Sequence, residues 1–340
     1  MKGIRRFLVF ILTAAVIFTA GCGIKDEDTS KTPGTDETEY SAITTTLVGG
    51  SPSGVWFMLS TAIAESLGKT YSGSIMHPTP GNNYANLFRI NDYEVEFALT
   101  HSSLAFDSVN AKGQFEEKFE NIGAIASFYP SVMQLAFKKD LGIETFLDII
   151  DNKIPVRMSI GSDGGVAHNT LMKLLGEYDL TIEDLEEWGC RIYLAGNKDS
   201  AELFSDGVID GMFKVASAPT PTMTQTGSNE DMVFVKFEDD VIQKLVDNCG
   251  YTPITIPAGT YKFGMEDVKS VTTFTILGAS LQTPEKNAYM VTKAICENLE
   301  YISSVHSSLE GISLESLVID MGMPLHPGAA RYYREIGVID

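Results

Sequence analysis

Ser51 and Ser53 stand among glycines in Gly49-Gly50-Ser51-Pro52-Ser53-Gly54, just ahead of Trp56. Backbone N–H groups freed by glycine, Ser hydroxyls and the positive end of a following helix dipole converge on one point in such a loop. That chemistry holds an anion, and a carboxylate is the natural guest. The other reading is an ordinary strand-to-helix turn in which the glycines relieve only steric conflict. Gly161-Ser162-Asp163-Gly164-Gly165 repeats the pattern in the second half of the chain. Asn82, Asn83 and Asn86 are candidate hydrogen-bonding groups, or else cap and turn residues. His101 is a candidate donor or a structural histidine. Phe128 and Tyr129 would wall a cleft or pack a hinge. Lys214 interrupts the apolar run Gly211–Val215. If it faces a cleft it is the partner of a carboxylate, because an unpaired buried lysine is costly; facing solvent it has no role. Arg157, in a run of similar character, is the weaker candidate.

These groups need elements to aim them. Ile43–Val48 is β-branched and reads as a strand, and Phe57–Leu67 has apolar residues at helical spacing. Pro155–Ile160 and Val166–Tyr178 repeat strand and helix around the second loop. Further strands are expected at Gly73–Met76, Val95–Thr100, Ile122–Phe137, Arg191–Leu194, Gly211–Val215, Met232–Phe237 and Val271–Leu277. His77–Asn83 reads as a loop, and Glu285–Ser304 as one long helix. The alternation argues an α/β fold. Residues 41–340 exceed what one core usually holds and predict two lobes. Two glycine-loop helix starts in different halves predict two helix dipoles facing a shared cleft.

Other chemistries find no support. His77, His101, His168, His306 and His326 show no metal-ligand spacing. Gly68-Lys69-Thr70 lacks the earlier glycine of a phosphate loop, since position 63 is Ile63, and Gly49–Ser53 lacks the last glycine of a nucleophile elbow. No acid pair marks general acid/base work. The expectation is a protein that is not an enzyme and uses no cofactor or metal. Cys190, Cys249 and Cys296 match no metal or redox motif and read as small buried residues, with a Cys190–Cys249 bridge left open.

Met1–Arg6 is basic, Phe7–Thr19 is apolar and Ala20-Gly21-Cys22 closes the run. Residues 1–21 read as a secretory signal. Cys22 after Ala-Gly resembles a bacterial lipobox, although Thr19 stands where Leu is usual; it predicts lipidation of Cys22, with a plain secreted chain as the alternative. Residues 22–41 are acidic and poor in apolar groups, and read as a disordered tether. The formal charge is −20. Such a chain does not bind nucleic acid by counterion release, nor does it lie flat on an anionic membrane. Localisation is expected to be extracytoplasmic, with the lipid holding the protein at the outer face of the cytoplasmic membrane or in the periplasm.

Several segments together resemble the TAXI-type solute-binding subunits of TRAP transporters (TRAP-associated extracytoplasmic immunogenic proteins). They include Gly49–Gly54, Asn86-Leu87, Phe97–Leu99, Ile125–Pro130, Ile160–Ser162 and Asp206–Gly211. Ile256-Pro257-Ala258-Gly259-Thr260-Tyr261 and Pro324-Leu325-His326-Pro327-Gly328-Ala329-Ala330-Arg331-Tyr332-Tyr333 are the more specific. The resemblance implies a type II periplasmic-binding-protein fold, two α/β lobes joined by a hinge with the ligand cleft between them. Lobe I would be discontinuous, 42–129 with 262–340, and lobe II would be 130–261, with crossings near Phe128–Leu135 and Tyr251–Val271. The solute would be a small carboxylate, an acidic amino acid such as glutamate or glutamine, or a dicarboxylate, handed to TRAP permease subunits. An extracytoplasmic sensor signalling to a partner protein is the alternative. The site would comprise Gly50, Ser51, Ser53, Gly54 and Trp56; Asn82, Asn83 and Asn86; His101, Ser102 and Tyr129. From the other lobe it would draw Ser162, Gly164, Gly165, Lys214, Ser217 and Pro219, with Tyr261 placed by the resemblance alone. Thr100-His101-Ser102 and Lys214 depart from the usual family pattern and bear on specificity.

Overall fold

The computed structural model describes residues 40–340 except Ser53 and Met265. The signal segment, Cys22 and nearly all of the tether lie outside the described residues. Tyr40 and Ser41, assigned to the tether from sequence, are docked: Tyr40 stacks on Tyr289 at 5.1 Å, and Lys286 Nζ donates to Ser41 Oγ at 2.7 Å.

In chain order the strands are β1 (Thr44–Val48), β2 (Ile75–Thr79), β3 (Phe97–His101), β4 (Ile122–Lys138), β5 (Arg157–Ser159), β6 (Arg191–Tyr193), β7 (Gly211–Ala216), β8 (Met232–Phe234), β9 (Thr252–Ile256) and β10 (Val268–Ser280). The helices are α1 (Val55–Thr70), α2 (Asn83–Asn91), α3 (Ser102–Asn110), α4 (Phe146–Asn152), α5 (Val166–Gly176), α6 (Ile182–Glu187), α7 (Asn197–Ser205), α8 (Pro221–Asn229), α9 (Asp239–Cys249), α10 (Glu285–Glu297), α11 (Leu299–Ser304) and α12 (Pro327–Glu335). None of these helices is long and apolar enough to cross a membrane.

The sheet runs β2-β1-β3-β10-β4-β7-β5-β6, with β8 and β9 added alongside β4 and β10. Strands β1, β2 and β3 are parallel, as are β5, β6 and β7; β10 runs antiparallel to β3, β4 antiparallel to β7, and β4 and β10 antiparallel to each other. The two ends of the sheet therefore repeat one plan: β1 and β5 occupy the same place, each followed by a glycine loop and a helix. Strand β4 alternates faces in its second part, with Met133, Leu135 and Phe137 in one hydrophobic cluster and Val132 and Ala136 in another. Two clusters draw only on residues 132–271, and the other two on residues up to 129 and from 274 onward. The sheet is continuous and the core is not. Pro130 sits where β4 passes between these cores, opposite Phe274 and beside a register shift, which accommodates its missing N–H.

Three local readings change. Strand β2 continues through His77-Pro78-Thr79, because β2 is the edge of the sheet and an edge tolerates proline. The long helix expected over Glu285–Ser304 breaks at Asn298, whose side chain bonds Thr70 Oγ1 and Ala294 O at 2.9 Å each. Cys190, Cys249 and Cys296 are all free, so no Cys190–Cys249 bridge forms.

Candidate functional site

The carboxyl ends of β1, β2 and β3 open into a cavity of about 360 Å³. Its walls are Gly50, Ser51, Gly54, Val55 and Trp56 after β1; Gly81, Asn82 and Asn83 after β2; and His101 and Tyr129. The Gly54 N–H donates to Ser51 O at 2.9 Å and folds the loop back on itself. No side chain caps α1, so its first N–H groups have no intrahelical acceptor. A β-carbon on Gly50 would sit 3.0 Å from Trp56 Cβ, and one on Gly81 2.3 Å from Asn86 Oδ1; both loops need glycine for this approach. Trp56 Nε1 donates to Thr275 Oγ1 of β10 at 3.0 Å, fixing the indole 4.9 Å from the His101 ring. Ser53 lies outside the described residues.

His101 is 7% exposed, and its buried Nδ1 has no hydrogen-bond partner. Its backbone N–H donates to Asn83 Oδ1 at 3.0 Å, and Thr100 Oγ1 donates to the same oxygen at 3.0 Å. The Asn83 side-chain carbonyl is thus committed to the end of β3. Burial lowers the His101 pKa from 6.5 to about 3, so the ring is neutral at physiological pH. Because the folded value lies below the unfolded one, this group costs stability as pH falls from 6.5 toward 3 and nothing above that window. The unliganded protein is expected to lose up to about 1.4 kcal/mol per pH unit there through this residue. His101→Gln should flatten that slope in urea melts at stepped pH; an unchanged slope would place the titration elsewhere.

The loop after β5 copies the loop after β1. The Gly165 N–H donates to Ser162 O at 3.0 Å, matching the Gly54–Ser51 bond, and α5 also starts on a glycine without a side-chain cap. A β-carbon on Gly165 would lie 2.9 Å from Ser162 O. His168 Nδ1 accepts from the Gly164 N–H at 3.0 Å and steadies the turn. A third glycine start, Gly196 before α7, follows β6 at the same end of the sheet, again without a side-chain cap. Sequence reading passed over it and over Val55 and Gly81. The strand–Ala195-Gly196-Asn197–helix order was the available signal for Gly196; Val55 and Gly81 had none beyond adjacency. No group of three or more His, Cys, Asp or Glu among the described residues could hold a metal.

Residues 47–337 match the NMT1-like family. The chain belongs to that family. Among solved structures it is similar to PhnD1 from Prochlorococcus marinus in complex with methylphosphonate, at 10% identity and a TM-score of 0.51, covering 87% of this chain and 99% of that one. It is also similar to the periplasmic aliphatic sulphonate binding protein SsuA from Escherichia coli, at 15% identity and a TM-score of 0.46, covering 86% and 83%. MatC from Rhodopseudomonas palustris with bound malate aligns at 11% identity and a TM-score of 0.49, covering 86% and 96%. The NMT1-like chain has the mixed α/β fold of periplasmic solute-binding proteins, built as two lobes.

Within this NMT1-like fold several candidate residues belong to the framework. Asn86 is fully buried: its NH₂ donates to Gly49 O at 2.9 Å and Leu99 O at 2.7 Å, and its Oδ1 accepts from the Asn82 N–H at 3.1 Å. These three bonds tie the loops after β1 and β2 to each other and to β3. Asn82 Oδ1 accepts from the Ala85 N–H at 2.9 Å and caps α2. Ser102 Oγ pairs with Thr273 Oγ1 at 3.1 Å and accepts from the Phe274 N–H at 3.0 Å, so it braces β10 instead of facing a solute. Tyr261 is buried against Phe234 and Phe263; its hydroxyl accepts from the Thr220 N–H at 2.6 Å and donates to Gln134 Oε1. Arg157 forms a forked pair with Asp210 at the opposite end of the sheet, 2.6 and 2.5 Å. Lys214 is buried at 4% exposure with Nζ donating to Ser200 Oγ of α7 at 2.9 Å. Ser162, Gly164, Gly165, Lys214, Ser217 and Pro219 do not line the cavity at Trp56.

Proposed function

We propose that this chain is an extracytoplasmic solute-binding lipoprotein of the TAXI type. It captures a small carboxylate solute, an acidic amino acid such as glutamate or glutamine or a dicarboxylate, and hands it to TRAP-type permease subunits. Cys22 is the lipid-bearing residue in this reading, and the acidic segment after it is the tether. The lobes are 42–129 with 262–340 and 130–261, hinged where β4 and β10 pass between the separate cores.

The observation that carries the proposal is the matched pair of loops, Ser51-x-x-Gly54 and Ser162-x-x-Gly165. Each is closed by a Gly N–H to Ser carbonyl bond, and each ends on an uncapped helix. Ligands of open α/β sheets bind at the carboxyl ends of the strands, which is where both loops stand. The family match and the fold shared with PhnD1 support the same reading. A solute seated between the loops would be met by donors from Ser51, Asn83, His101 and the uncapped first turn of α1 on one side, and from Ser162 and the uncapped first turn of α5 on the other. Trp56 and Tyr129 would cover its apolar part. Each helix end supplies about 0.3–1 kcal/mol, or roughly 2 when partly buried, against about 8 kcal/mol for micromolar affinity. Direct hydrogen bonds and burial must therefore provide most of the affinity.

A thermal-shift panel of amino acids and mono-, di- and tricarboxylates tests this. A bound solute at 100 times Kd stabilises the protein by about 2.7 kcal/mol, a shift of several degrees. A melting temperature that none of these acids moves would contradict the proposal.

A further inference from the structure

One buried ion pair joins helices whose hydrophobic contacts belong to separate cores. Lys173 Nζ of α5 lies 2.7 Å from Asp107 Oδ2 of α3, with side-chain exposures of 15% and 5%. The same ammonium donates to Ser103 O at 3.2 Å and Cys249 O at 3.4 Å, and it lies over the Tyr251 ring at 5.2 Å. Tyr251 in turn pairs its hydroxyl with Thr170 Oγ1 of α5 at 2.7 Å. Helix α3 packs with Leu104 and Ala105 in the core fed by β3, whereas α5 packs with Leu171 and Leu174 in the core fed by β5 and β7.

The position of the pair is what gives it consequence. Helix α3 begins at His101, a wall of the cavity, and α5 begins at the second glycine loop. The start of α3 is bonded to β10 where that strand passes from one core to the other: the Ser103 N–H donates to Thr273 Oγ1 at 3.0 Å, beside the Ser102 bonds to Thr273 and Phe274. We infer that Asp107 and Lys173 are a positioning pair that pins α3 to α5 beside the crossover and sets the orientation in which the two glycine loops face each other. Charge and geometry both matter, since Lys173 has carbonyl acceptors from both sides and only one carboxylate.

The inference rests on reading the two loops as half-sites. Its test uses no solute, so its failure leaves the binding proposal standing. Spin labels are placed on Glu94→Cys and Glu183→Cys, both exposed and one on each side, in a Cys22→Ser background. Cys190 and Cys249 are buried, and burial raises the Cys296 thiol to about 12, which keeps it unreactive. Asp107→Asn with Lys173→Met removes both charges without leaving one unpaired. Pulsed dipolar spectroscopy should show the inter-label distance distribution at least doubled in width relative to the parent, with circular dichroism unchanged. Lys173→Arg, which keeps the charge, should retain the parent distribution. Superimposable distributions for the parent and the double variant would overturn the inference. So would equal broadening in Lys173→Arg. Loss of folding in the double variant would overturn it too, because a pair that only orients the lobes is not needed for either core.

Discussion

Lys214→Met should make the unliganded protein more stable at pH 7, by roughly 2 kcal/mol, or on the order of 4 °C in melting temperature. Lys214 is 4% exposed, and its ammonium has only Ser200 Oγ as a partner, with no carboxylate beside it among the described residues. Burial lowers its pKa from 10.5 to about 8. Between those values the unfolded chain holds a proton that the folded chain releases. Stability therefore rises with pH across that window, and the whole cost of burying the charge is felt below pH 8. Methionine fills the same slot without a charge, so the gain should be largest at pH 7 and fade above pH 10. Proteins keep such a costly group where function needs it. Strand β7 ends at the same edge of the sheet as the second glycine loop, and Ser200 lies in the first turns of α7. On the binding proposal the variant weakens an acidic solute more than a neutral one. A variant no more stable than the parent at pH 7 would mean that Lys214 has an anionic partner in the resting protein.

Asn86→Ala should cost about 4 kcal/mol in urea unfolding, the largest destabilisation expected of a single side chain around the cavity. It takes the Asn86 donors from the buried Gly49 and Leu99 carbonyls, at about 1–3 kcal/mol each, and the acceptor from the half-exposed Asn82 N–H. Asn86→Asp keeps the acceptor and removes both donors, so it should cost as much. The same bonds tie Gly49 to Asn82 and to Leu99 of β3, and the variant should weaken binding indirectly by loosening the loop after β1. A cost under 1 kcal/mol would return Asn86 to the list of solute ligands.

The strand–glycine loop–helix units were legible in the sequence because glycine, β-branched runs and helical spacing are local signals. The ends of β1 and α1, and of β5 and α5, fell within a few residues of their expected places for that reason. What the sequence could not show is where each polar side chain finds its partner. Asn82 and Asn86 look alike in sequence; one caps a helix on the cavity wall, and the other has no exposed atom. Ser102 sits one residue from His101, yet its hydroxyl is taken by β10, a strand more than 170 positions along, while the His101 Nδ1 is left without a partner. Tyr261 drew attention through a motif, and that motif proves to be packing beneath the Thr220 turn. His326, in the other specific motif, caps α12 by accepting from the Gly328 N–H at 3.1 Å. Family motifs here mark the framework as often as the site, because a loop that must hold a shape constrains its residues as strongly as a ligand does.

The central claim is that the two glycine loops are halves of one solute site. Titration calorimetry with the carboxylate that raises the melting temperature most measures it directly, on the parent and on Gly54→Val and Gly165→Val. A side chain at Gly54 would come 3.0 Å from Ser51 Oγ, and one at Gly165 2.9 Å from Ser162 O, so each substitution deforms one loop and leaves the other intact. The parent should bind one equivalent saturably, and each variant should lose at least about tenfold in affinity, or 1.4 kcal/mol. Parent-like binding by Gly165→Val, with loss only in Gly54→Val, would confine the site to the cavity beside Trp56 and contradict a site shared between the lobes.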